Sequence, residues 1–135
     1  MRRPLFLFLL CLISLVLLAC QTSEEEKIQQ VLNRREEALR NRDLSLYLSC
    51  ISQTYQDKEE DFTRLRNRVE GYFRNFDQIE YSNWDRSIQI EREVASVTQQ
   101  FRLEVMKGGK RSRYSGMEAL FLKKEGKKWR IIGGL

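Results

Sequence analysis

The chain contains no histidine, so proton or covalent chemistry would fall chiefly to its thiols and carboxylates. That absence removes His-based triads, HExxH zinc sites and imidazole general bases. Of the three cysteines, Cys11 lies in an apolar leader and Cys20 closes it. Cys50 follows Tyr47 and Leu48 on a short apolar pattern and reads as a small buried hydrophobe. No intramolecular disulfide is expected. Among the carboxylates, Asp85 beside Trp84 is the nearest acid–base candidate, since a carboxyl against an indole has its pKa raised. The competing reading is a solvated residue at a strand bend. Gly108-Gly109 and Gly133-Gly134 lack the following helix or Lys-Ser/Thr of a phosphate loop. No metal-ligand spacing is present, so no catalytic residue, metal or cofactor is assigned.

Charge points to no polyanion of a particular kind. The formal net charge is +5, and two of those charges, Arg2 and Arg3, sit in the leader. The remainder is too mild, and too poor in interleaved aromatics, to argue for nucleic acid. Basic residues gather at strand ends: Lys107, Lys110, Arg111 and Arg113, then Lys123, Lys124, Lys127, Lys128 and Arg130. Lysines there keep strands soluble and unpaired. Their alternative use is contact with anionic headgroups or an anionic envelope polymer.

These side chains must be positioned by whatever follows the leader. Met1-Arg2-Arg3-Pro4 is a positive start, and Leu5 to Leu18 is apolar apart from Ser14. That run is shorter than the roughly 20 residues a bilayer span needs and fits a signal-peptide core. Ser23 opens a capping box with Glu26, and Ile28, Val31, Leu32, Ala38 and Leu39 form one helical stripe. Arg35 interrupts that stripe, and its stem is expected to snorkel. Asp43 caps a short second helix carrying Leu44, Tyr47, Leu48 and Ile51. Ser52 to Lys58 reads as a loop. A third helix is predicted from about Glu59 to Phe76 on Phe62, Leu65, Val69, Tyr72, Phe73 and Phe76. Gly71 within it is expected to mark close packing.

From Asp77 the apolar period becomes two. Ile79, Tyr81, Trp84, Ile88 and Ile90 change parity, which predicts a bulge near residues 82–85. Ala95, Val97, Phe101, Leu103 and Val105 make one face of a second strand with a wet opposite face. Lys107-Gly108-Gly109-Lys110 is a hairpin turn. A third strand covers 111–124, and a fourth, 128–132, carries Trp129 and Ile131. Three helices followed by a four-strand meander define an α+β class.

Two resemblances follow. Leu17-Leu18-Ala19-Cys20 resembles the bacterial lipobox. That implies a leader over 1–19, a lipid on Cys20, a tether over 20–22 and a domain over 23–135. Several acyl chains make a strong anchor to a membrane. Gln21 after the cysteine implies a periplasm-facing chain held at the outer membrane of the cell envelope. The tether spans only about 10 Å, so the first helix would start close to the lipid, with the basic strand ends facing away or toward another partner.

The capped first helix, the run Ala38 to Tyr47 into a short second helix, the third helix and the closing Gly126-Lys127-Lys128-Trp129-Arg130-Ile131-Ile132 resemble the NTF2-like (SnoaL-like, cystatin-like superfamily) fold. This implies a cone of curved strands around helices whose mouth can hold a ligand. Tyr47, Tyr55, Trp84, Phe101, Met117 and Trp129 are the candidate pocket lining, or simply core. The expectation is a binding module for an unknown small apolar ligand or an envelope protein. A homodimer through the wet sheet face is the further partner expected. The alternatives are an isomerase- or hydrolase-type enzyme with its site in the cone, and a structural envelope protein.

Overall fold

The computed structural model describes residues 23–135; the leader, the lipobox and Cys20 lie outside the described residues. The first helix, α1 (Glu24–Asn41), begins at the expected capping box. Ser23 Oγ accepts from the Glu26 amide at 3.1 Å, and Glu26 accepts from the Ser23 amide at 3.3 Å. It ends where Arg42 turns left-handed, φ 53°, and its N–H reaches back to the Ala38 and Leu39 carbonyls. Asp43 then caps α2 (Leu44–Ser49) by accepting from the Leu46 amide at 2.9 Å.

Residues after α2 are more ordered than a loop. A minimal hairpin, β1 (Gln56–Asp57) and β2 (Glu60–Asp61), turns at Lys58. The third helix, α3 (Phe62–Asn75), consequently starts later than Glu59, because Asp61 is its cap and accepts from the Arg64 amide at 2.9 Å. Gly71 faces open space rather than a packed neighbour, which corrects the close-packing expectation.

The sheet is an antiparallel meander of β3 (Gln78–Glu91), β4 (Val94–Lys107), β5 (Lys110–Glu125) and β6 (Lys128–Gly133), in that order. The pairing of β3 with β4 is interrupted between Trp84 and Ser87, where Asp85 takes a φ of +53°. One extra residue there reverses the side-chain parity. Ile79 and Tyr81 before it, and Ile88 after it, therefore all face the helices. Asp85 is this bulge's left-handed residue, a conformation Asp tolerates better than most. The outer edge of β6 is not left open: Ser52 N–H donates to the Ile131 carbonyl and Ile131 N–H to the Cys50 carbonyl, both at 2.9 Å.

The inner sheet face and the helices enclose one core, which includes Ile28, Leu32, Ile51, Leu65, Val97, Leu120, Leu122 and Ile131. Cys50 is part of it, and burial pushes its thiol pKa up. Trp129 locks the start of α1 to the sheet by donating its indole N–H to Glu24 at 2.7 Å, and Lys124 pairs with the same carboxylate at 3.1 Å. With Lys27 these bonds hold Glu24 down to about 2. This clamp corrects the expected placement of the basic strand ends. The β5–β6 hairpin, with Lys124, Lys127 and Lys128, sits beside the N-terminus of α1, whereas the Lys107–Lys110 turn lies at the opposite end of the sheet. No described helix is long and apolar enough to cross a membrane.

Because a Cβ at Gly71 meets nothing within 4 Å, Gly71→Ala is expected to stabilise the domain by up to about 1 kcal/mol. Chemical denaturation measures this, and a destabilised variant would show that the position needs glycine.

Candidate functional site

The centre of the cone is polar. α1 places Arg35 on the stripe that faces the sheet, and its guanidinium meets the Glu118 carboxylate of β5 at 3.1 and 3.3 Å. Arg35 is 7% exposed. Tyr81 of β3 donates its hydroxyl to Glu118, and Gln99 of β4 donates its amide to Glu118 at 2.6 Å and to the Tyr81 oxygen at 3.0 Å. Arg35 also lies 5.2 Å from the centre of the Tyr81 ring. One helix and three strands are joined at a single carboxylate.

A second layer continues outward. Arg86, delivered inward by the bulge, donates to Gln99 at 2.7 Å, to Asn83 at 2.8 Å and to Asn33 of α1 at 3.2 Å. Asn83 donates to Glu36 at 2.8 Å. Within this layer burial lowers the pKa of Arg86.

These contacts decide what the centre can do. Burial works to raise the pKa of Glu118, but the Arg35 charge and the donors from Arg35, Tyr81 and Gln99 outweigh it and hold the carboxyl below its usual range. Burial, reinforced by Glu118, pushes the Tyr81 phenol up to about 12. Arg35 stays charged throughout the accessible range. The carboxylate is thus ionised, with both oxygens occupied by donors, and the phenol holds its proton. This is a lock rather than an acid–base pair. Only Arg35 Nε is left without a partner among the described buried side-chain atoms.

An apolar cavity lies elsewhere, at the end of the cone near the β4–β5 turn. α1 contributes Leu39, α3 contributes Tyr72 and Phe73, and the sheet contributes Ile79, Leu103 and Val105 to an apolar groove of about 340 Å³. Phe76, 6.0 Å from Tyr72 ring to ring, and Tyr114 finish its rim. Arg68 borders it, with its guanidinium 5.8 Å from the Tyr72 ring centre and paired with Glu60 at 2.8 and 2.7 Å.

The six residues expected to line a pocket are not brought together. Tyr47, Tyr55 and Trp129 are fully packed core. Phe101 is partly buried and stacks on Tyr81 at 6.2 Å. Trp84 and Met117 project from the outer sheet face, both opposite Gln100: Trp84 because the bulge comes after it rather than before it, Met117 because it alternates with the inward-facing Glu118 and Leu120. Glu118 and Gln99 were not singled out from sequence, although each is a polar residue in phase with a buried face: Gln99 between Val97 and Phe101, Glu118 two residues from Leu120. Arg35 does not snorkel; it turns inward because a carboxylate waits there. Among the described residues no three Cys, Asp or Glu side chains converge on a metal position.

Helices packed inside a four-strand antiparallel meander are the architecture of the NTF2-like fold. The SnoaL-like domain profile matches residues 28–133, and the chain belongs to that family. Its fold is similar to a conserved protein from Planctomyces limnophilus, with a TM-score of 0.74 at 18% identity, covering 82% of this chain and 91% of that one. An NTF2-like superfamily protein from Salmonella enterica serovar Typhimurium gives 0.72 at 13% identity, covering 82% and 89%. A protein described as a candidate scytalone dehydratase from Novosphingobium aromaticivorans gives 0.73 at 12% identity, covering 82% and 80%. No curated protein matches the chain.

The lock makes a paired prediction. Arg35→Leu alone strands a buried carboxylate and is expected to cost about 3–5 kcal/mol, whereas Arg35→Leu with Glu118→Leu recovers most of that loss. A double variant that costs as much as the two single variants added together would show that the pair is not coupled. The pH dependence has a definite sign. A carboxyl held below its unfolded pKa of about 4.3 stabilises the fold above that value and loses the contribution as pH falls through the folded pKa. Glu118→Gln should flatten the acid limb of a stability–pH curve below about pH 5.

Proposed function

We propose that this chain is a non-catalytic binding module, held to the cell envelope by a lipid on Cys20, that uses the apolar groove rather than the cone centre. The observation that carries the reading is the engagement of Glu118 by Arg35, Tyr81 and Gln99. The carboxylate at the heart of the cone already accepts from Arg35, Tyr81 and Gln99 and is held ionised against the Arg35 charge, which makes it a weak base toward a substrate proton. An isomerase or dehydratase in this cone would need that carboxylate, or Tyr81, released. The groove, by contrast, offers apolar walls at the small end of the roughly 300–1,000 Å³ typical of ligand sites.

The outer sheet face supports a second partner, another copy of this chain. Trp84, Met117 and Phe121 are exposed there, and the rows between them carry Ser96, Thr98, Gln100 and Ala119 without a charge. An uncharged centre flanked by the Arg102, Glu104, Arg111 and Arg113 cluster has the layout of an interface. Met117→Glu is expected to convert a dimer to monomer in sedimentation velocity; a monomeric parent would overturn this partner.

The groove reading is tested with the full chain in zwitterionic nanodiscs, titrated with 1-octanol while the methyl resonances of Leu39, Ile79, Leu103 and Val105 are followed. These should shift together and saturate, and Leu103→Trp, which fills the groove, should abolish the response. Absence of any shift would overturn the reading. Incorporation of a clickable fatty acid should disappear in Cys20→Ser; retained label would overturn the anchor.

A further inference from the structure

We infer that the groove takes an anionic amphiphile, a small apolar body carrying one negatively charged head. The inference rests on the groove reading above and adds the chemistry of the rim. Three cations stand at the groove's end. The Arg42 guanidinium donates to the Phe76 carbonyl at 2.9 Å, which fixes it beside the rim residue Phe76. Lys107 and Lys110 flank the β4–β5 turn and are paired directly across the ladder. That turn is bound to the segment following Phe76: the Asp77 amide donates to the Met106 carbonyl, and the Gly108 amide donates to the Asp77 carboxylate, both at 2.8 Å.

The basic character of this corner is not cancelled locally. Among the described residues Arg42, Lys107 and Lys110 enter no ion pair, whereas their neighbours do: Arg68 is paired with Glu60, and Arg111 and Arg113 share Glu104. Asp77 is the acid of the corner, and one of its oxygens is occupied by the Gly108 amide. Like charges directly opposite on a ladder are unfavourable. An anion at the turn would relieve the Lys107–Lys110 juxtaposition while its apolar body filled the groove two residues away at Val105. A neutral hydrophobe would satisfy the walls and leave the rim uncompensated. A cationic one would add to the repulsion.

The test uses the full chain in zwitterionic nanodiscs with three probes of equal length: octanoate, 1-octanol and octylammonium. Free ligand is fixed by dialysis, and binding is read from the groove methyl resonances. Octanoate is expected to bind about fivefold tighter than octanol at low ionic strength, about what one exposed charge interaction supplies, and octylammonium weaker than either. The octanoate advantage should fall to less than about twofold in the Lys107→Ser, Lys110→Ser variant and in 0.5 M salt, where charges are screened within a few ångströms. The salt series needs no variant. Octanol binding as tightly as octanoate would overturn this inference and leave the groove reading standing. Failure of every probe to shift the groove resonances would overturn both.

Discussion

The fold depends on one buried ion pair. Arg35 and Glu118 come from opposite layers of the domain, and the carboxylate gathers donors from β3 and β4 as well as from α1. Removing two charges from water costs several kcal/mol each, so the pair adds little net stability over an apolar substitute. What it fixes is geometry. A helix held against a sheet by apolar contacts alone can rotate or slide at modest cost. A guanidinium facing a carboxylate that is also hydrogen-bonded to Tyr81 and Gln99 has one satisfactory register. The bulge at Asp85 belongs to the same device, since without it Arg86 would point to solvent and Gln99 would lose its outer partner.

This lock redistributes the options open to a cone-shaped domain. Where the cone interior is free, it offers a deep, shielded site for acid–base chemistry. Here that volume is spent on structure, and the accessible apolar space is displaced toward the β4–β5 turn, where Tyr72, Phe76 and Tyr114 meet solvent. The molecule is thereby divided lengthwise. One end holds the capped start of α1, with Glu24, Trp129 and Lys124. The middle holds the lock, and the far end holds the groove and its basic turn.

Most of the fold was legible because its signals are local. The Ser23–Glu26 capping box, the Asp43 cap, the Gly108-Gly109 turn and the parity change in β3 each declare themselves within a few residues. The site was much less legible, because its partners are far apart in sequence. Arg35 looked like a flaw in an apolar stripe until Glu118, 83 positions away, supplied the reason for its burial. Gln99 and Glu118 sit in phase with buried neighbours, a signal that exists in the sequence but has no meaning until the strands are registered. Side-chain type alone misled: Trp84 and Met117 were drawn into a pocket list by type, whereas the direction of Trp84 depends on which side of a one-residue bulge it falls and that of Met117 on its alternation with Leu120. Gly71 misled in the opposite sense, since a helical glycine suggests crowding and this one meets empty space.

The Glu24 clamp also has a mechanical meaning. Any pull on the chain ahead of Ser23 would enter the fold at Glu24, and from there pass through the Trp129 indole and the Lys124 ammonium into β6 and β5. The load would reach the sheet sideways instead of unwinding α1 from its tip. Once that clamp gave way, the buried Ile28, Val31 and Leu32 would resist next, and the ion pair of Arg35, about 16 Å further along the helix, after them. The domain would therefore yield in steps from the capped start of α1 toward the lock, so that tension entering there would be met before it reached the groove at the other end.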